Sequence, residues 1–128
     1  MILDSSAIVA IVTQERGAEL IVEKLRRAEV RAVNAATLAE TGIVLQARLG
    51  VEPQSILDRF LRDFDVAIVD FGDQHWREAV DAYRRFGRGR HPAALNFGDC
   101  LAYATARVSG RPLLFVGGDF ARTDVEIA

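Results

Sequence analysis

Short apolar runs that end in turn or capping residues alternate along the chain with longer stretches whose apolar positions recur every three to four residues. These are the periods of buried strands and of amphipathic helices. The pattern predicts strands at Met1–Leu3, Val30–Asn34, Val66–Val69 and Leu113–Val116, with a short fifth at Val125–Ile127. Helices are expected at Ser6–Val12, Ala18–Arg27, Leu38–Leu49, Gln54–Arg62, Gln74–Phe86 and Gly98–Val108. In the last helix Leu101, Thr105 and Val108 share a face with Ala102 beside them, a stripe suited to packing on a sheet. Strands alternating with helices imply a parallel α/β sheet with helices on both faces. Such sheets bind ligands outside the carboxyl ends of their strands, so the residues just after each strand are the ones to inspect.

Length and composition narrow this picture. The chain has 128 residues, half of them apolar, which suits one domain with a real core. The net charge is -2, so there is no global basic surface, and any contact with nucleic acid has to be local. Cys100 is the lone cysteine, which excludes an internal disulfide and a zinc finger and points to a reducing compartment, the cytoplasm. The opening MILDSSAIVAIV carries an acid at position 4 and no basic residue before it, which fits neither a signal peptide nor a membrane span. The one break in composition is FGRGRHP, Phe86 to Pro92, read as a mobile loop.

Four acids fall at or near strand ends. Asp4 follows the first strand, Glu40 lies one turn into the helix after the second, Asp99 opens the last helix and Asp119 follows the strand at Leu113. Gathered in one crevice, such groups repel and raise one another's pKa unless cations neutralise them. Oxygen ligands suit Mg²⁺ or Mn²⁺, and such ions can activate a water and stabilise charge on a scissile phosphate. Each acid also has a plain structural reading. Thr37 to Glu40 and Asn96 to Asp99 both have the spacing of a capping box, and Asp4 and Asp119 both suit caps after a turn.

Other side chains are open to two readings. Arg84, Arg85, Arg88 and Arg90 flank the basic loop, where they either hold RNA phosphates or satisfy a helix C-terminus; Arg88 and Arg90, lying beyond the helix, lean towards RNA. His75 and His91 lack partners at metal spacing and read as structural. Trp76 and the phenylalanines sit at helical spacing and read as packing, with base stacking as the alternative. Ile8, Val9, Val12, Leu20, Ile21 and Leu25 crowd two short helices with more apolar surface than one sheet face needs, leaving a groove for a partner helix.

The segments MILDSSAIVAI, AATLAE, RHPAALNFGDCLAYATA and LLFVGGDFARTDVEIA together resemble the VapC-type PIN-domain ribonuclease toxins, and the resemblance runs from end to end. It implies a Rossmann-like PIN fold with strand order 3-2-1-4-5, endoribonuclease activity dependent on Mg²⁺ or Mn²⁺, and metal-holding, catalytic acids at Asp4, Glu40, Asp99 and Asp119. It also implies a cognate VapB-type antitoxin and a homodimer. Two positions depart from the family pattern: Gly118 stands where Asn often precedes the last acid, and Asp4-Ser5-Ser6 replaces Asp-Thr-Ser. Asp124 is therefore a second candidate for the last acid. A receiver domain would need a lysine near the last strand, and the sole lysine is Lys24; an aspartyl-nucleophile phosphatase would need an acid at position 6. The remaining alternative is a catalytically silent PIN domain that only binds RNA or protein.

Overall fold

The computed structural model describes residues 1–128. Its strands are very short: β1 Ile2–Leu3, β2 Ala32–Asn34, β3 Ala67–Val69 and β4 Leu113–Leu114. All are parallel, in the order β3-β2-β1-β4, with Ile2 opposite both Ala32 and Leu113. Successive side chains on a strand point to opposite faces. Ile2, Ala32 and Leu113 accordingly join one core cluster with Tyr103 and Leu95, while Leu3, Val33 and Leu114 join the other with Ile8, Leu45 and Phe60. The helices divide in the same way. Those at α5 Asp73–Phe86 and α6 Phe97–Ser109 cover the first face; α1 Ser5–Val12, α2 Ala18–Arg27, α3 Ala35–Leu49 and α4 Gln54–Asp63 cover the second.

The expected fifth strand at Val125–Ile127 contracts to an isolated parallel bridge between Leu113 and Ile127. The segment still takes the fifth place in the sheet order, since Leu113 N–H donates to Glu126 O at 2.8 Å and Ala128 N–H to Leu113 O at 3.0 Å. Because β4 ends at Leu114, ahead of the turn at Gly117 (φ +107°), the neighbouring segment has almost no strand to pair with.

α3 begins three residues earlier than expected. Its cap is Asn34, whose Oδ1 accepts the Thr37 N–H at 2.6 Å. The Asn34 Nδ2 donates to Thr37 Oγ1, Leu101 O and Thr105 Oγ1, so this buried amide ties the end of β2 to α6. The Thr37–Glu40 capping box expected from spacing is therefore absent, because both residues already lie inside the helix. α6 is buried almost all round from Gly98 to Ala106, and its expected stripe stops a turn short, with Val108 exposed. No helix is long and apolar enough to cross a membrane.

Candidate active site

Asp4 leaves β1 in extended conformation and caps α1. Its Oδ2 accepts from both the N–H and the hydroxyl of Ser6, at 3.0 and 2.5 Å. Ser6 Oγ in turn accepts the Val116 N–H at 3.0 Å, which fastens the chain after β4 to the end of β1. Asp4 is only 3% exposed, and its Oδ1 is buried without any partner. Burial pushes its pKa up to about 6 against the pull of the Ser6 bonds, and the charges of Asp99 and Glu40 add to the rise.

Glu40, freed from capping, reaches across from α3 to the first turn of α6. A Cβ added at Gly98 would overlap its carboxylate, so glycine is what allows the close approach. Glu40 Oε1 is buried and also lacks a partner. One partnerless buried oxygen is already uncommon in a native fold; two on neighbouring carboxylates fit a place for a cation.

Asp99 does form the capping box expected with Asn96: its N–H donates to Asn96 Oδ1 at 2.9 Å and its Oδ2 accepts the Asn96 N–H at 3.0 Å. The structural reading is therefore correct without excluding the other, because Oδ1 of Asp99 is uncommitted. Burial raises its pKa; the Asn96 bond and Arg88 oppose this, and Asp119 and Glu40 reinforce it. Asp119 stands exposed after Gly117 and Gly118 and makes no capping bond to the 3-10 turn Phe120–Arg122.

The charges of Asp99 and Glu40 act on Asp4, and those of Asp119 and Glu40 act on Asp99, so the four acids lie in one neighbourhood. No three of them stand close enough to make a finished ligand set.

Asp124 belongs elsewhere. It accepts from Tyr103 Oη at 2.5 Å and from Arg85 Nη2 at 2.8 Å, and these bonds, opposed by desolvation, hold its pKa below the usual carboxylate value. Arg85 and Arg84 also pair with Asp81, so both are engaged in ion pairs within the chain. Arg88 and Arg90 carry no ion pair, and Arg88 lies near enough to Asp99 to act on its charge. His75 Nδ1 accepts the Gly72 N–H and His91 Nδ1 the Ala93 N–H, both structural bonds. Cys100 is buried, with its thiol pushed up to about 11 by desolvation. Sequence reading missed Ser6 and Gly98 as working parts: a hydroxyl two residues after the first acid and a glycine just before the third are the signals that carry them.

Residues 1–126 match the family model of the PIN domain. The chain is 46% identical to a Mycolicibacterium smegmatis protein named Ribonuclease VapC, over 98% of this chain and 97% of that one. Among solved structures it resembles Mycobacterium tuberculosis VapC20, a sarcin-ricin loop cleaving toxin, with TM-score 0.78 and 17% identity over 99% of this chain and 97% of that one. It also resembles VapBC2 from Rickettsia felis, solved bound to a DNA fragment from their promoter, with TM-score 0.71 and 18% identity over 98% of this chain and 94% of that one. These two likenesses are of fold.

Proposed function

The chain belongs to the PIN-domain family, among its VapC ribonucleases, and from that premise we propose that it is the endoribonuclease toxin of a toxin–antitoxin pair, cutting RNA with Mg²⁺ or Mn²⁺ held by Asp4, Glu40, Asp99 and Asp119. The observation that carries the metal reading is the pair of buried, partnerless oxygens, Asp4 Oδ1 and Glu40 Oε1, the second on a carboxylate that packs against Gly98. A cation bound there supplies a more acidic water and stabilises the charge that develops on the scissile phosphate. The chain's own residues set its surroundings. Ser6 orients Asp4 through two bonds to one oxygen and leaves the other oxygen free. The capping box does the same for Asp99. Asp119, exposed and without a capping bond, is the fourth ligand in this reading. Arg88, which acts on the charge of Asp99, and Arg90, which like Arg88 has no ion pair in the chain, steer RNA phosphates towards the acids.

Purified protein incubated with RNA tests this: cleavage is expected with Mn²⁺ or Mg²⁺, none with EDTA, and none from Asp4→Asn under any condition. RNA binding without metal-dependent cleavage would establish instead the silent binding module.

A VapB-type antitoxin is the partner in this reading. Its support here is a cavity of about 770 Å³ between α1 and α2, walled by Ile11, Ala18 and Val22 and rimmed by Glu23, Arg26 and Arg27. The surplus apolar surface expected on these helices is smaller than their sequence suggests, since Ile8, Val9 and Leu25 face the core and Leu20 alone stands largely in solvent. An antitoxin helix in this groove, with an arginine of its tail among the acids, silences the enzyme by removing both metal and substrate positions. Failure of the toxin to co-purify with the protein encoded beside it would count against the pairing. A homodimer belongs to the same proposal, with exposed Ile43 and Ile68 near the free edge of the sheet offering apolar surface to a second copy; sedimentation velocity decides it.

A further inference from the structure

Beside the acids lies a second concave surface with different chemistry. Phe71, Trp76, Val80 and Tyr83 from the α5 side and Phe97 from α6 line a cavity of about 700 Å³, with Arg88 and Asn96 at its polar positions. The volume is within the range of about 300–1,000 Å³ usual for small-molecule sites. Trp76 and the other aromatics at helical spacing read from sequence as packing, yet Phe97 is 78% and Trp76 47% exposed. Phe97 is the first residue of α6, two before Asp99, and Asn96 is the cap that holds Asp99 in place. The cavity and Asp99 thus share one turn of chain.

We propose that this cavity is a nucleobase site, in which one unstacked base of the RNA packs against Phe97 and Trp76 while Arg88 and Asn96 meet its polar edge or the adjoining phosphate. The inference rests on the ribonuclease reading and deepens it. Three features favour RNA over another occupant. The walls are aromatic, and aromatic faces bind single-stranded bases of any identity. The cation at the rim has no ion pair in the chain and already acts on Asp99, which gives a polyanion a charge complement at the mouth. The cavity adjoins Asp99 through Asn96 and Phe97, so a strand lying across Asp99 brings a neighbouring base to it. Trp76 is held for this role: its Nε1 donates to Asp73 at 3.0 Å and Arg77 covers a ring face at 4.4 Å, so little freedom is lost on stacking. The Asn96 Oδ1 is committed to Asp99, and its Nδ2 donates to nothing in the chain, leaving a donor for a base.

Trp76 is the only tryptophan, so its fluorescence reports on the cavity directly. The probe is a twelve-nucleotide single-stranded RNA of mixed sequence, titrated in EDTA so that no cleavage intervenes, beside an abasic strand of the same length. The base-bearing strand is expected to quench Trp76 and to bind about tenfold more tightly than the abasic one. Phe97→Ala and Phe97→Leu should each lose about tenfold in RNA affinity, Phe97→Tyr should recover it, and the Mn²⁺-induced rise in melting temperature should stay as in the parent for all three. Equal affinity of Phe97→Leu and parent overturns the proposal, because an apolar but non-aromatic side chain then suffices. So does absence of quenching. If Phe97→Ala instead changes the sedimentation coefficient and leaves RNA affinity alone, the face docks protein and the proposal is wrong. Because binding is read without metal, a protein that fails to cleave RNA contradicts the ribonuclease reading without touching these outcomes.

Discussion

Asp4 and Asp124 are the same side chain in opposite circumstances. Asp4 is buried with one oxygen bonded twice and the other bonded to nothing, and its carboxyl is pushed up to about 6 chiefly by desolvation. Asp124 is exposed, with both oxygens used by Arg85 and Tyr103, and its carboxyl is held low. One acid leaves an electrostatic debt that a cation can settle; the other fastens the C-terminal segment to α5 and α6. An acid near a strand end is thus informative only once its partners are known.

The sharpest way to break this comparison is through activity. Asp4→Asn and Asp99→Asn should each cut RNA cleavage by more than about 100-fold, since even residues behind a metal ligand are worth about 10–100-fold. Asp124→Asn should cleave RNA close to the parent rate. A cleavage assay on the three variants checks this, and equal losses would dissolve the distinction.

Acidity separates the two residues by sign. A carboxyl whose folded pKa exceeds its unfolded value binds more protons in the native state, so stability falls as pH rises between the two values. For Asp4 the window runs from about 4 to about 6, and the metal-free protein should lose on the order of 3 kcal/mol across it. Asp124 acts in reverse: its contribution is present above the unfolded value near 4 and disappears as pH falls below it. Denaturant melts in EDTA from pH 3 to 8 should show the first slope vanish in Asp4→Asn and persist in Asp124→Asn.

Smaller effects sharpen the contrast. Asp124→Ala strands the buried Tyr103 hydroxyl and the Arg85 charge, costing about 1–2 kcal/mol with no change in metal response. Gly98→Ala should behave in the opposite way. Alanine favours a helix over glycine by up to about 1 kcal/mol, while its methyl turns the Glu40 carboxylate out of the crevice, so stability holds or rises as the metal response falls. Smallest of all, Arg88→Ala with Arg90→Ala should flatten the salt dependence of RNA binding by roughly 0.7 for each phosphate no longer neutralised, leaving metal affinity alone.

The sequence made the parallel sheet and its helices legible because two-faced burial leaves continuous apolar runs, Ile2-Leu3 and Leu113-Leu114, at regular intervals. It brought Asp4, Glu40 and Asp119 forward because each comes after a strand, and Asp99 because it opens the helix that precedes β4. Boundaries depended on tertiary contacts. Asn34 and Thr37 are both acceptable caps, and what selects Asn34 is its buried amide bonding to α6, 67 and 71 residues away. Asp124 looked like a substitute for Asp119 until Arg85 and Tyr103 claimed it from other elements. Phe97 and Trp76 were indistinguishable from core residues because helical spacing says which face a residue is on, not whether anything covers that face.

The central claim is that Asp4, Glu40, Asp99 and Asp119 form a cation site and not a set of helix caps. Thermal melts with and without Mn²⁺ test it most directly. At about ten times its dissociation constant the ion should stabilise the parent by roughly 1.4 kcal/mol, a rise of a few degrees. Asp124→Asn should show the same rise from a lower starting temperature. Asp99→Asn should show none, with its metal-free melting temperature close to the parent's, because relief of repulsion offsets the weakened cap. An undiminished Mn²⁺ response in Asp99→Asn would contradict the account and leave Asp99 as a capping residue alone.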